Sequence, residues 1–394
     1  MRRPWRWRRV AIGVAIGVAG LGSCADPLGP RRAAAIRATL DGVGVFDAYG
    51  ALWYATADGD MRVVGASSYG PDVSAYSAAT GDDWFVAIVF DSLAADRAGD
   101  ALMRVNTTTG ALGPRVAVPA IGAVALYTNV VLFGAVSLTL SPDIAYAVLS
   151  GASTRDIRSG LVVSSLATPP VSRFVPRVEP SCLAPATGAP GPVVLVAGPD
   201  TAGGAGQTAL REFDAASLAW GRTVDVATDR RSCRRLLVAE DSGAAFVVLD
   251  AGLVARVRLA DFAVQWSRVV GPTGPAALSP DHGELAYAAR GTTGPGGAPV
   301  DLRFVGIDGT ERRRMTLRGE LARDATGVVQ DIAWSADGTA VLLAMGVRQP
   351  GTVTVEDDAT QFGRLLRVDA HTGLVTARLE MPEGVPPVRF ARRR

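Results

Sequence analysis

The sequence contains no lysine: its 40 Lys+Arg positions are all arginine. That removes every mechanism needing an amine at a fixed place, including the phosphate-binding lysine of a nucleotide loop, the lysine of a kinase strand and a Schiff base. Histidine and cysteine are as scarce, with 2 and 3 residues. A zinc site built from these types would have to draw almost all of them to one point. Aromatic residues make up 6% of the chain, and 38 acidic residues leave a formal charge of only +2. No global field therefore marks nucleic acid as the partner. What the chain does have is apolar and turn-forming: 48% hydrophobic residues, 45 Gly and 24 Pro in 394 positions. That is enough to bury a large core, and too apolar for wholesale disorder.

The N-terminus carries a distinct signal. Arg2, Arg3, Arg6, Arg8 and Arg9 precede an uncharged run from Val10 to Leu21, the layout of an export signal. The run is shorter than the roughly 20 apolar residues that a helix needs to cross a bilayer. It ends in Leu21-Gly22-Ser23-Cys24, which resembles the lipobox of bacterial lipoproteins. The resemblance implies that Cys24 becomes the diacylated first residue of a mature chain anchored in the cell envelope; the alternative is a plain cleaved signal with Cys24 left free. Ala25-Asp26-Pro27-Leu28-Gly29-Pro30 then reads as a short tether that holds no regular element. The expected organisation is a signal peptide over 1–23, a lipidated tether over 24–35 and one domain over 36–394.

Within that domain, short runs of Val, Leu, Ala, Ile, Tyr and Phe alternate with Gly, Pro, Asp and Ser clusters, the pattern of an all-β chain. Two echoes recur. The first is a corner before an apolar strand: Ser141-Pro142-Asp143, Ser279-Pro280-Asp281 and Ser335-Ala336-Asp337-Gly338. Proline presets one backbone angle in the first two, and the Asp side chain caps its own turn. The second is a strand ending in a hairpin: Leu102-Met103-Arg104-Val105-Asn106-Thr107-Thr108-Thr109-Gly110 matches Leu365-Leu366-Arg367-Val368-Asp369-Ala370-His371-Thr372-Gly373. Looser copies begin at Phe213, Arg258 and Gly306. Apolar strands are expected at 52–56, 84–90, 145–149, 193–197, 245–249, 285–289 and 341–345, one per repeat.

This grammar resembles bacterial β-propellers of the WD40-like kind, with corners like those of the TolB propeller and hairpins like those of YVTN-type repeats. The resemblance implies a single β-propeller, with seven blades as the expected count and six or eight as the neighbouring alternatives; a pair of β-sandwiches is the competing architecture. Within that frame Cys182 and Cys233 stand 51 residues apart, about one repeat, each just before an apolar strand. A blade-to-blade disulfide suits an exported domain, and two buried thiols are the alternative.

The chemistry on offer is thin. His282 lies in a Ser-Pro-Asp-His-Gly turn and His371 in a Thr-Gly hairpin, so both are read as turn residues rather than general bases. The acidic groups Asp58-Gly59-Asp60, Asp82-Asp83 and Glu356-Asp357-Asp358 lack the alternating spacing of a calcium loop, and Gly203-Gly204-Ala205-Gly206 lacks the strand, helix and distant acid of a dinucleotide site. Asn106-Thr107-Thr108 fits a glycosylation sequon but reads as a hairpin. Arginines cluster at Arg230-Arg231 with Arg234-Arg235, at Arg312-Arg313-Arg314 and at Arg392-Arg393-Arg394, and are read as solvated turns. No catalytic residue, metal ligand or cofactor is assigned. The expected function is a monomeric, lipid-anchored binding module for a protein, peptide or glycan of the bacterial cell envelope. The alternative, carried by the fold resemblance alone, is a propeller enzyme of the lactonase or quinone/calcium-dependent sugar dehydrogenase type.

Overall fold

The computed structural model describes thirty strands between Gly44 and Ala391, together with the side chains of most residues within 160–381 and of Phe390. The described strands fall in seven sheets, none of which closes on itself. Sheet four joins Cys182–Pro185, Val193–Pro199, Thr208–Asp214 and Ala219–Ala227 in chain order. Sheet five joins Cys233–Ala239, Ala244–Leu249, Leu253–Arg258 and Ala263–Val269; sheet six joins Ala276–Leu278, Glu284–Ala288, Asp301–Gly306 and Glu311–Thr316. Sheet seven joins Val328–Trp334, Ala340–Val347, Phe362–Asp369 and Val375–Glu380. All these pairings are antiparallel.

Sheet one departs from chain order: Gly44–Asp47, Leu52–Ala55 and Met61–Val64 receive Pro387–Ala391 as a further strand, with Val45 opposite Phe390. The two ends of the domain therefore share one sheet. Sheets two and three each carry a strand beyond the four of the repeat. Val136–Ser137 pairs in parallel with Val73–Tyr76 in sheet two, and Val124–Leu126 pairs with Tyr146–Ser153 in sheet three. The sequence between these sheets is apolar and poor in turn residues, so extended segments find edges to pair with.

Six of the seven expected apolar runs are second strands of their sheets, and 52–56 falls on a third strand. The second strand is buried because it has strands on both sides and a sheet against each face. All six residues of Ala244–Leu249 are buried. Their period of two divides them between two interfaces: Ala245, Val247 and Leu249 pack with Cys182, Leu195 and Leu210 of sheet four, whereas Ala244, Phe246 and Val248 pack with Leu278, Leu285 and Tyr287 of sheet six. Phe304, Trp334, Val341 and Leu343 repeat this arrangement between sheets six and seven. First strands touch in succession, from sheet four to five, six, seven and on to Pro387–Ala391 of sheet one. The sheets thus follow one another face to face about a line along their first strands.

Cys182 and Cys233, which open the first strands of sheets four and five, are bonded to each other with their Cα atoms 5.7 Å apart. Both are buried. The bond ties adjacent sheets beside that common line.

Candidate binding edges and the axial ion pair

The two sequence echoes occupy two fixed places in the repeat. The corners join first to second strands: Ser279 and Asp281 lie between Ala276–Leu278 and Glu284–Ala288, Ser335 and Asp337 between Val328–Trp334 and Ala340–Val347. The Asp hairpins join third to fourth strands. In an antiparallel sheet these two connections emerge at the same edge, and the connections from second to third strand and from sheet to sheet emerge at the other.

In sheets six and seven the turns at the hairpin edge are capped by Asp side chains. In the corner of sheet seven, Asp337 Oδ1 accepts from the Ser335 hydroxyl at 2.6 Å, the Thr339 N–H at 3.0 Å and the Thr339 hydroxyl at 2.8 Å. These bonds, the Ser335 hydroxyl first, hold the Asp337 carboxyl down at about 2. Asp281 repeats the device with the Ser279 hydroxyl at 2.6 Å and the Gly283 N–H at 3.1 Å, and its carboxyl is likewise lowered. In the hairpins, Asp369 Oδ1 accepts from the Thr372 hydroxyl at 2.8 Å and the Thr372 N–H at 2.7 Å, while Asp308 Oδ1 accepts from the Thr310 hydroxyl at 2.7 Å. The Thr hydroxyl is the largest cause of the lowered carboxyl in both.

Both histidines sit in these turns and bind neighbouring sheets. His282, at φ 54°, places Nδ1 3.1 Å from Asp241 in the first turn of sheet five. His371 Nδ1 lies 3.1 Å from Nη1 of Arg313, and since a guanidinium only donates, Nδ1 is the acceptor. Arg313 also reaches Glu284 at 2.5 Å and lies over the Phe304 ring. The Arg312-Arg313-Arg314 run, expected as a solvated turn, is part of the fourth strand Glu311–Thr316, whose alternation sends Arg313 inward and leaves its neighbours exposed. The same place is used in other sheets. Arg222 of sheet four donates to the Ala260 carbonyl at 2.9 Å, and Arg268 and Trp266 of sheet five donate to Gly309 at 3.0 Å and Ile307 at 2.9 Å. The fourth strands of sheets four, five and six therefore each fasten the hairpin of the following sheet.

The second arginine cluster divides. Arg230 and Arg234 are exposed, and Arg231 pairs with Asp229 at 2.8 Å. Arg235 instead pairs with Asp331, from sheet five to sheet seven past sheet six. Asp331 is 3% exposed, and its other oxygen accepts the Phe390 N–H at 2.8 Å. A β-bulge precedes each partner, at Arg234 in one first strand and Gln330 in the other, which shifts the side-chain alternation there. No local pattern marks this pair, because its members are 96 residues apart; the only trace is an acid inside the apolar run Val328–Trp334.

Several sequence candidates lie outside the described residues: Cys24, the acids at 58–60, 82–83 and 356–358, Gly203 to Ala205, Thr107, Thr108 and Arg392 to Arg394. Among the described residues, no group of three His, Cys, Asp or Glu is placed to hold a metal, and no helix is long and apolar enough to cross a membrane.

No protein-family model and no curated protein matches the sequence. Solved structures do. The chain is similar to the Kuenenia stuttgartiensis hydrazine synthase structure, with a TM-score of 0.50 and 13% identity over 76% of this chain and 77% of that one. The fold is propeller-like. Similarities to U3-55K (TM-score 0.48, 10% identity, 78% and 80% coverage) and to a chain of the mitotic checkpoint complex (0.48, 11%, 80% and 80%) are weaker. At these identities the propeller-like likeness concerns fold alone.

Proposed function

We propose that the protein is a lipid-anchored propeller of seven blades, closed by its C-terminal strand, that binds a protein, peptide or glycan in the bacterial cell envelope as a monomer. The observation that carries this reading is the contrast between the two edges. In sheets six and seven the corners and hairpins are short and capped by Asp, and each of these two hairpins is fastened by the preceding sheet. The long stretches 200–207, 289–300 and 348–361 join a second to a third strand, and 317–327 joins sheets six and seven, so the strand ends that flank all four lie at the opposite edge. Loops of variable length on a rigid frame are the usual carriers of recognition, because few groups must be ordered when a partner arrives. Both imidazoles are committed to contacts between sheets at the capped edge, which favours binding over catalysis by a histidine base. The anchor rests on the lipobox resemblance at Cys24, and the buried disulfide suits the oxidising side of a membrane.

Two experiments test the reading. Cys24→Ala should abolish fatty-acid labelling and release the protein from membranes; unchanged labelling overturns the anchor. The soluble domain from Asp26, used to capture partners from envelope extract, should lose its main partner on Arg234→Glu, an exposed site at the long-connection edge, and keep it on Ala336→Glu in the capped corner of sheet seven. The reverse outcome transfers recognition to the capped edge and refutes the argument from loop length.

A further inference from the structure

We propose that Asp331 is a latch for the C-terminal strand, so that the ring can open at the junction of sheets seven and one while sheets four to seven stay folded. Asp331 is the one buried carboxylate among the described residues, and it spends both oxygens on groups outside its own sheet: the guanidinium of Arg235 in sheet five and the Phe390 N–H in Pro387–Ala391. Sheets four, five, six and seven are joined pair by pair through apolar clusters, and sheets four and five by the disulfide as well. Pro387–Ala391 has no covalent neighbour in its own sheet, because its partner Gly44–Asp47 comes from the other end of the domain. Its position depends on strand pairing on one side and, on the other, on contact with sheet seven, where Phe390 is buried and its N–H is bonded to Asp331. A buried acceptor bonded to a strand N–H and neutralised by a guanidinium from across the axis holds that strand only while both partners are present. Removing either one leaves a buried polar group without its complement, a local penalty at this junction.

The latch rests on the closed ring proposed above, and the test reads the two separately. Hydrogen exchange followed by mass spectrometry on the domain from Asp26 should show protection of 387–391 and 44–47 in the unaltered chain. Absence of that protection refutes the ring itself. Asp331→Ala should raise exchange of both segments about 10-fold or more and leave sheets four and six unchanged. Arg235→Met with Asp331→Leu replaces the ion pair by apolar groups of similar volume, which commonly restores overall stability. In that double variant thermal stability should recover while 387–391 still exchanges fast, since the Phe390 N–H still lacks its acceptor. If Asp331→Ala does not fold, the double variant decides. Protection of 387–391 equal to the unaltered chain, or exchange rising uniformly through all sheets, overturns the latch.

Discussion

Replacing Asp337 tests how much the capped corners contribute. One oxygen of Asp337 serves three donors, the Ser335 hydroxyl at 2.6 Å and the Thr339 N–H and hydroxyl at 3.0 and 2.8 Å. They hold its carboxyl at about 2 against an ordinary 3.8. At about 1.4 kcal/mol per pH unit, this sets a ceiling of roughly 2.5 kcal/mol. The Asp337 side chain is 57% exposed, so solvent screening reduces the charge-dependent part to about 1 kcal/mol. Asparagine keeps an acceptor in place and loses that part alone. Alanine also removes the acceptor of the Thr339 N–H and hydroxyl and one of the two acceptors of the Ser335 hydroxyl, which costs about 1 kcal/mol more. Asp337→Asn should therefore cost about 1 kcal/mol and Asp337→Ala about 2 kcal/mol near neutral pH, read from urea midpoints. Because the folded carboxyl lies below its unfolded value, its contribution is whole above about pH 4 and fades as pH falls through about 2. The difference between the unaltered chain and Asp337→Asn should be about halved near pH 3. A difference that persists undiminished there, or an Asp337→Ala cost below about 0.5 kcal/mol, refutes the capping argument.

Two further outcomes are expected. Cys182→Ser with Cys233→Ser should lower the unfolding free energy by about 4 kcal/mol in the loop-entropy model for a separation of 51 residues, and two free thiols on the denatured, unreduced native domain would contradict the bond. Gly252→Ala should destabilise by more than about 4 kcal/mol or prevent folding, because the residue has φ +71° and an added Cβ would stand 1.6 Å from the Gly271 carbonyl oxygen; an expressed variant with native urea midpoint would contradict that close approach.

What could be read from the sequence was local. Second strands are buried on both faces, so they appear as continuous apolar runs such as Ala245 to Leu249, and the turns beside them follow from Ser, Asp and Gly chemistry at fixed spacing. The outer strands gave no such signal. Glu311-Arg312-Arg313-Arg314 reads as a charge run, yet it is a strand whose alternation matters at one side chain, Arg313, held by Glu284 and the Phe304 ring. The axial pair was also hidden. Arg235 and Asp331 come together through the order of sheets about a common line, and each is turned by a bulge that no residue type announces. Sheets two and three show a further limit, since the strands Val124–Leu126 and Val136–Ser137 pair wherever an edge is open rather than where the repeat requires.

The proposed closure of the chain into a ring through Pro387–Ala391 is tested most directly by a cross-link. Gly44 and Ala391 are opposite each other in sheet one. With Gly44→Cys and Ala391→Cys introduced in the domain from Asp26, a short thiol cross-linker should join the two positions within one molecule, giving a denatured chain that migrates as a closed loop and a linked peptide pair in its digest. A folded, monomeric domain that yields no such link, or links only between separate molecules, would contradict the ring.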